Sequence, residues 1–349
     1  MCIYNEARQK AFQFFNNMKF NILLLFVLIS HPIFAQWQML ESGTSASFRS
    51  MDVVNKKVVW AGGSNNTVLK TINGGKTWQN YAVNPELTLD FRGIKGFDKN
   101  IAIAVSAGLA EEGQAKIFKT TDGGLTWSLV FETKLKGVFL DGIAFFDKMY
   151  GMVIGDPIDN QAYILETKDG GNTWQRVDTS LFPKTNEGEA SFAASNSCLV
   201  TYQNEAWYAF QSRILHTPDQ GKTWEALNSK FPPGTTSGIF GLHFWSKSDG
   251  VLLGGDYKDD KTKQVNFAKT MDGGKTWKSQ EITPQGLKES AGLVKGKLIV
   301  VGTSGTSIST DLGESWKVID KASFHVVDCS GKYCYAIGAK GHLGKMRLK

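Results

Sequence analysis

The chain has 349 residues, 42% hydrophobic and 21% charged, with a formal net charge of +6. This balance excludes a disordered chain, a collagen-like repeat and a polytopic membrane protein. The excess charge is spread out, with no Lys/Arg block of the kind that tracks phosphates, so nucleic acid is not an expected partner.

Taken in chain order, the first element is an address. Residues 22–29 read ILLLFVLI, preceded by Lys19 and followed by Pro32, Ile33, Phe34 and Ala35. A cation, a short apolar stretch and a small residue at the end make a secretory signal peptide. The run falls short of the ~20 apolar residues that a membrane span needs. Residues 1–35 are therefore expected to be a signal peptide cleaved after Ala35, with the true start at Met18, where the chain reads MKFN. No Cys follows the apolar run, so no lipid anchor is expected. The mature chain is expected in the periplasm or outside the cell, as a monomer with no membrane span.

From residue 36 onward the chain reads as short strands separated by tight turns, with 37 Gly, 10 Trp and 22 Phe in the whole sequence. One octapeptide, Thr/Ser-x-Asp/Asn-x-Gly-x-Thr/Ser-Trp, occurs six times: at 71–78, 120–127, 167–174, 217–224, 270–277 and 309–316. Its tryptophans, Trp78, Trp127, Trp174, Trp224, Trp277 and Trp316, stand 39–53 residues apart. That interval is one four-stranded propeller blade, ~40–50 residues. Each copy has the same logic. The side-chain oxygen of Asn73, Asp122, Asp169, Asp219, Asp272 or Asp311 accepts N–H groups of its own turn. Glycine supplies positive φ, and the Trp opens the next strand and packs between blades. The Gly-Lys-Thr fragments at 75–77, 221–223 and 274–276 do not form phosphate loops. The glycine required five residues earlier is replaced by Lys70, His216 and Lys269.

Two further apolar runs precede each turn: 48–54 with 58–62, 91–97 with 101–105, 142–146 with 151–154, 192–195 with 206–210, 241–245 with 250–254 and 291–294 with 298–302. A seventh pair, 324–329 with 333–338, is followed by 342–346 and then the chain ends. Its missing outer strand is expected from 36–40, where Trp37 matches the motif tryptophans. The N-terminal strand would then enter the last blade and close the ring, leaving no open module edge. Cys329 and Cys334 flank a four-residue turn and could be joined or reduced, a choice an exported chain leaves open. Cys198 reads as a small buried hydrophobe.

These repeats resemble the Asp-box (BNR) propellers, and within that group the photosystem II stability/assembly factor-like proteins. Residues 47–78 and 90–100 carry the likeness, which extends over 37–349. It implies an all-β, seven-bladed propeller in one domain, 36–349. It says little about activity, because this architecture hosts many functions.

In a propeller the inner strands begin on the face that also carries the loops between second and third strands, opposite the Asp-box turns. The repeat alignment puts Arg49, Arg92, Asp141, Glu189, Glu289 and His325 at or near inner-strand starts. Asp156 and Asp256 fall in second-to-third loops. The longest such loops are expected at 107–115, 156–161 and 256–264. All eight side chains are expected around the channel mouth as a ligand-binding set. Two guanidiniums there suit a carboxylate or phosphate; the competing reading is that the charges merely solvate the channel and pair with each other. No histidine pair or Cys-x-x-Cys has metal-ligand spacing. Asp256, Asp259 and Asp260 fail the twelve-residue calcium loop. No dinucleotide fingerprint or G-x-S-x-G is present. No metal or cofactor is expected.

Two functions compete. One is an exported, non-catalytic propeller that binds a protein or peptide partner, or a small anionic ligand, as a scaffold or assembly factor. The other is a glycoside hydrolase using carboxylates such as Asp141 with Asp156 or Glu189 as acid and base. A sialidase would need three converging arginines. Of the arginines after residue 35, Arg176, Arg213 and Arg347 fall on outer, third and terminal strands, leaving only Arg49 and Arg92.

Overall fold

The computed structural model describes residues 36–180, 182–259, 265–280 and 283–348. The expected signal peptide, its cleavage point and Asp260 lie outside the described residues. Those residues form seven four-stranded antiparallel sheets, six of them meanders of consecutive strands and the seventh completed by the N-terminal strand. The inner strands of blades 1 to 7 are Phe48–Asp52, Asp90–Gly96, Leu140–Phe145, Leu199–Tyr202, Ser237–Phe244, Ser290–Val294 and Val326–Ser330. The outer strand of blade 7 is Gln38–Met39, paired with Leu343–Arg347 in the register Gln38↔Lys345 and Met39↔Gly344. The Leu40 N–H extends the pairing by donating to the Leu343 carbonyl at 2.8 Å.

The second and third strands are buried along almost their whole length, as in Val59–Gly63 and Thr67–Thr71. Each of their sheet faces meets a neighbouring blade, and the apolar clusters lie at these contacts. One joins Val59, Ala61 and Leu69 of blade 1 to Tyr335, Ile337 and Leu343 of blade 7. Another joins Trp60 to Phe91 and Phe118 of blade 2. Motif tryptophans take part edge-on: Trp127 meets Trp60 at 6.3 Å, Trp78 meets Tyr335 at 6.1 Å and Trp316 meets Phe267 at 5.0 Å between ring centroids.

The Asp-box turn is held as its residues suggest. In blade 2, Asp122 Oδ1 accepts the Thr120 hydroxyl at 2.9 Å and the Thr126 N–H at 3.0 Å, while Oδ2 accepts the Thr126 hydroxyl at 2.6 Å. These bonds, those from Thr126 foremost, hold the Asp122 carboxyl down to about 2. In blade 1 Asn73 does the same work, its Oδ1 accepting from Thr71, Lys76 and Thr77. The first glycine position tolerates a side chain, since Gln220 (φ 61°) and Leu312 (φ 55°) occupy it. The second is glycine in all six copies, at φ between 81° and 97°, and a Cβ on Gly171 would stand 2.2 Å from Ile103 Cδ1 of the preceding blade. The turn also ties adjacent blades. Lys70 donates to the Gly123 carbonyl, Lys119 to that of Gly170 at 2.8 Å and Lys345 to that of Gly74 at 2.5 Å.

The inner edges, which no further strand covers, are satisfied by side chains of the neighbouring blade. Asp52 accepts the Gly96 N–H at 2.8 Å and Asp328 the Val53 N–H at 2.7 Å. Ser50 donates to the Phe91 carbonyl at 3.1 Å and Thr201 to that of Phe145 at 2.9 Å.

Three sequence expectations change. The run 192–195 is not the inner strand of blade 4; Leu199–Tyr202 is. The stretch 156–161 is not a long loop. Gly151–Ile158 and Gln161–Thr167 continue to a two-residue turn at Asp159 and Asn160, both at positive φ, the conformation a tight hairpin demands. Cys329 and Cys334, left open by the sequence, face each other in register and are disulfide-bonded. Cys198 is buried and free.

Trp37 should carry the closure. It is 6% exposed, packs 5.3 Å from Phe324 and donates from Nε1 to Thr306 Oγ1 of blade 6 at 2.8 Å. Trp37→Ala is expected to cost about 3–5 kcal/mol in denaturant unfolding, the usual cost of deleting a buried aromatic ring. A loss below about 1 kcal/mol would mean that the N-terminal strand does not close the ring.

Candidate functional site

Blade 4 departs from the repeat, and the departure builds the site. Between its preceding outer strand, Gln175–Arg176, and its inner strand the chain runs through residues 177–198. The last eight of these cross the channel as a plug. Arg49 of blade 1 donates to the Ala194 carbonyl at 3.1 Å, and Arg92 of blade 2 to that of Ala193 at 3.3 Å. Asn196 clasps both backbone groups of Ile143 in blade 3, at 2.9 and 3.0 Å. Ser195 donates to the Glu289 carbonyl of blade 6 at 2.9 Å, and Ser197 to the Ser290 hydroxyl at 3.1 Å. Phe192 stacks on Phe240 of blade 5 with centroids 4.2 Å apart. Five neighbouring blades thus hold one segment.

Above the plug, on the face opposite the Asp-box turns, is a cavity of about 430 Å³. Its polar wall is Arg49, Arg92, Asp141, Asp156, Glu289 and His325. Its apolar wall is Phe139, Phe192, Phe240, Tyr257 and Leu287. Arg92 is also held by Asp90, Nε to Oδ2 at 2.8 Å. Burial lowers the Arg49 guanidinium from its usual value, Glu289 acts against this, and Arg92 adds to the lowering. His325 Nδ1 and Glu289 Oε2 lie 2.9 Å apart, both residues being buried. Asp156 accepts the Ser191 N–H at 3.0 Å, yet burial still pushes its carboxyl up to about 6. Asp141 is 1% exposed with no partner on either oxygen. Burial first, and then the Asp156 charge, push it well above the usual carboxylate range, with Arg92 opposing.

Six of the eight residues proposed from sequence thus share one cavity. The other two do not line it. Glu189 sits in the linker to the plug, ten residues before its blade's inner strand, and takes Arg213 Nε at 2.9 Å and Nη2 at 2.5 Å. That pair pins the linker to the third strand of blade 4. Asp256 caps its own turn, accepting the Lys258 N–H at 2.9 Å, and this bond holds its carboxyl below the usual range. The sequence reading missed the plug and the aromatic wall. The signal was the long gap before Leu199, masked because the short hairpin after Tyr202 restores the Trp174-to-Trp224 interval. Beyond the plug the channel has a separate cavity of about 290 Å³ with Asp52, Lys95, His243 and Asp328 in its lining. There Lys95 pairs with Asp52 at 2.8 Å.

The model of the family described as photosynthesis system II assembly factor YCF48 matches residues 130–244. A solved structure described as YCF48 bound to D1 peptide is 18% identical, with TM-score 0.63, covering 90% of this chain and 97% of that one. YCF48 from Cyanidioschyzon merolae is 15% identical, with TM-score 0.62, covering 89% and 98%. The Niastella koreensis GH74 enzyme is 13% identical, with TM-score 0.57, covering 87% of this chain but 43% of that one. No curated protein matches the sequence. The chain is a seven-bladed Asp-box propeller similar to photosystem II assembly factor-like proteins.

The raised Asp156 carboxyl sets a pH dependence. Between its ordinary 3.8 and about 6 the folded protein keeps a proton that the unfolded chain releases. Stability from this group is therefore full below pH 4 and declines as pH rises through 6. Asp156→Asn should remove that part of the slope, on the order of 2 kcal/mol between pH 4.5 and 7. Urea unfolding of both proteins at the two pH values measures it; equal slopes would contradict the burial argument.

Proposed function

We propose that this chain is an exported, non-catalytic propeller that binds a protein or peptide partner in the cavity opposite the Asp-box turns. The observation that carries the reading is the pairing of two fixed guanidiniums with an aromatic wall over a closed floor. Arg49 and Arg92 each spend one bond on the plug and keep further donors, in the fork geometry that suits a carboxylate. The aromatic wall gives a neighbouring side chain an apolar seat. Likeness to a propeller described with a bound peptide supports the same reading. The hydrolase alternative is less well supported. Arg213 is tied to Glu189 and Arg176 lies 5.0 Å over Tyr163, and neither lines the cavity. The GH74 chain is more than twice as long as the part matched.

Peptides with a free α-carboxylate and an aromatic last residue should bind, measured by fluorescence anisotropy. The Arg49→Ala/Arg92→Ala double variant should weaken binding at least tenfold, since hydrogen bonds to charged groups contribute about 1.5–3 kcal/mol each. Equal binding of free and amidated peptides would overturn the reading. So would turnover of glucosyl, xylosyl or sialyl reporters that is lost in Asp141→Asn. Export rests on residues 1–35: the secreted protein should begin at Gln36 by N-terminal sequencing, and recovery of an intact leader would remove that part of the proposal.

A further inference from the structure

The acids of the cavity differ in one respect. Asp156 has the Ser191 N–H and Glu289 faces His325 Nδ1. Asp141 has nothing on either oxygen, although it is 1% exposed and forms part of the cavity wall. On the blade 6 side of the same cavity the Thr303 hydroxyl is likewise buried and unpartnered. A buried carboxyl with no hydrogen-bond donor costs free energy, which the charge of Arg92 offsets only in part. The apolar and guanidinium parts of the wall are complete without it.

Resting on the peptide-binding reading above, we infer that Asp141 is a specificity residue that receives a cationic group of the bound peptide. An ammonium or guanidinium one residue from the carboxylate held by Arg49 and Arg92 would supply the missing donors. The preferred ligand is then amphoteric, with an anionic end, an apolar side chain and a cation between them. A purely acidic peptide would leave Asp141 as it is. The charged and titratable groups that act on Asp141 are Asp156 and Arg92, together with the buried Cys198 and Tyr208 of blade 4; Tyr208 is engaged with the Gly155 carbonyl at 2.8 Å. Burial, and then the neighbouring Asp156 charge, favour the protonated form of Asp141. Pairing with a cation returns that proton to solvent, so affinity for the cationic ligand rises with pH.

The test uses N-acetyl-Ala-Xaa-Phe with a free carboxylate, where Xaa is Lys, norleucine or Nε-acetyl-lysine, titrated calorimetrically into the wild-type protein. The Lys peptide should bind about ten- to a hundredfold more tightly than the other two. Its advantage should grow from pH 5 to pH 8 and should vanish in Asp141→Asn. Asp156 lies in the same wall and would also attract the ammonium, so the series is repeated in Asp156→Asn, where the Lys advantage should persist. Equal affinity for the Lys and norleucine peptides, with the amidated forms not binding, would overturn the role of Asp141 and leave the carboxylate reading intact. Equal binding of free and amidated forms, or no binding by any, would overturn both. Should Asp141→Asn fail to fold, the Asp156→Asn series decides: loss of the Lys advantage there would assign the cation to Asp156 and overturn the role of Asp141.

Discussion

Every feature of this molecule depends on the ring being closed. A four-stranded sheet with two apolar faces needs a neighbour on each, and only a circular arrangement gives all seven sheets two neighbours. The chain meets this with a strand of two residues, Gln38–Met39, hung on Leu343–Arg347. The pairing is short, so the closure depends on Trp37, whose ring lies against Phe324 and whose N–H reaches blade 6. Across the junction of the last and first blades, Asp328 reaches Val53 and Lys345 reaches Gly74.

Closure creates a second requirement at the axis. Seven inner strands present edge groups to a channel too narrow for another strand, and unpaired backbone groups there are costly. The chain answers with short polar side chains at inner-strand positions, each reaching an adjacent blade, as Ser50, Asp52, Thr201 and Asp328 do. The plug is the same device enlarged: Asn196 serves both backbone groups of Ile143, and Ser195 serves Glu289. What fills the channel is therefore polar by necessity, and Arg49 and Arg92 are held in place by the carbonyls they satisfy.

The fold was readable because the Asp-box repeats a chemical pattern whose parts all act within eight residues: a hydroxyl, an oxygen acceptor, a glycine and a ring. Such local bonds do not depend on the rest of the chain. Even the exceptions follow the rule. Asn73 keeps the acceptor oxygen, and Leu312, like Gln220, takes the first glycine position and adopts its positive φ. The polar wall was readable because an inner apolar run recurs once in every blade and all of these runs start on one face, which placed Arg49, Arg92, Asp141, Glu289 and His325 together. Glu189 and Asp256 were misplaced for local reasons. One lies in a linker whose length the Trp spacing hid, and the other is consumed by its own turn. The Cys329–Cys334 bond could not be read from spacing, since it depends on a register that puts the two residues opposite each other.

The position of the one irregular blade bears on function. Repeats satisfy their backbone with neighbours like themselves, and a module that breaks the pattern does so at the expense of its own inner strand. Here blade 4 keeps only Leu199–Tyr202 as an inner strand and spends the preceding chain on the plug. The plug supplies the floor of the cavity and, in Phe192, the ring against which Phe240 and Tyr257 of blade 5 pack. The floor of the cavity and the Phe192 part of its apolar wall thus trace to one insertion that the repeat itself does not need, while its charges come from the blades. That is why the ligand is sought above residues 191–198 and not at the mouth on the Asp-box side, where the ion pair of Asp52 and Lys95 links the inner strands of neighbouring blades.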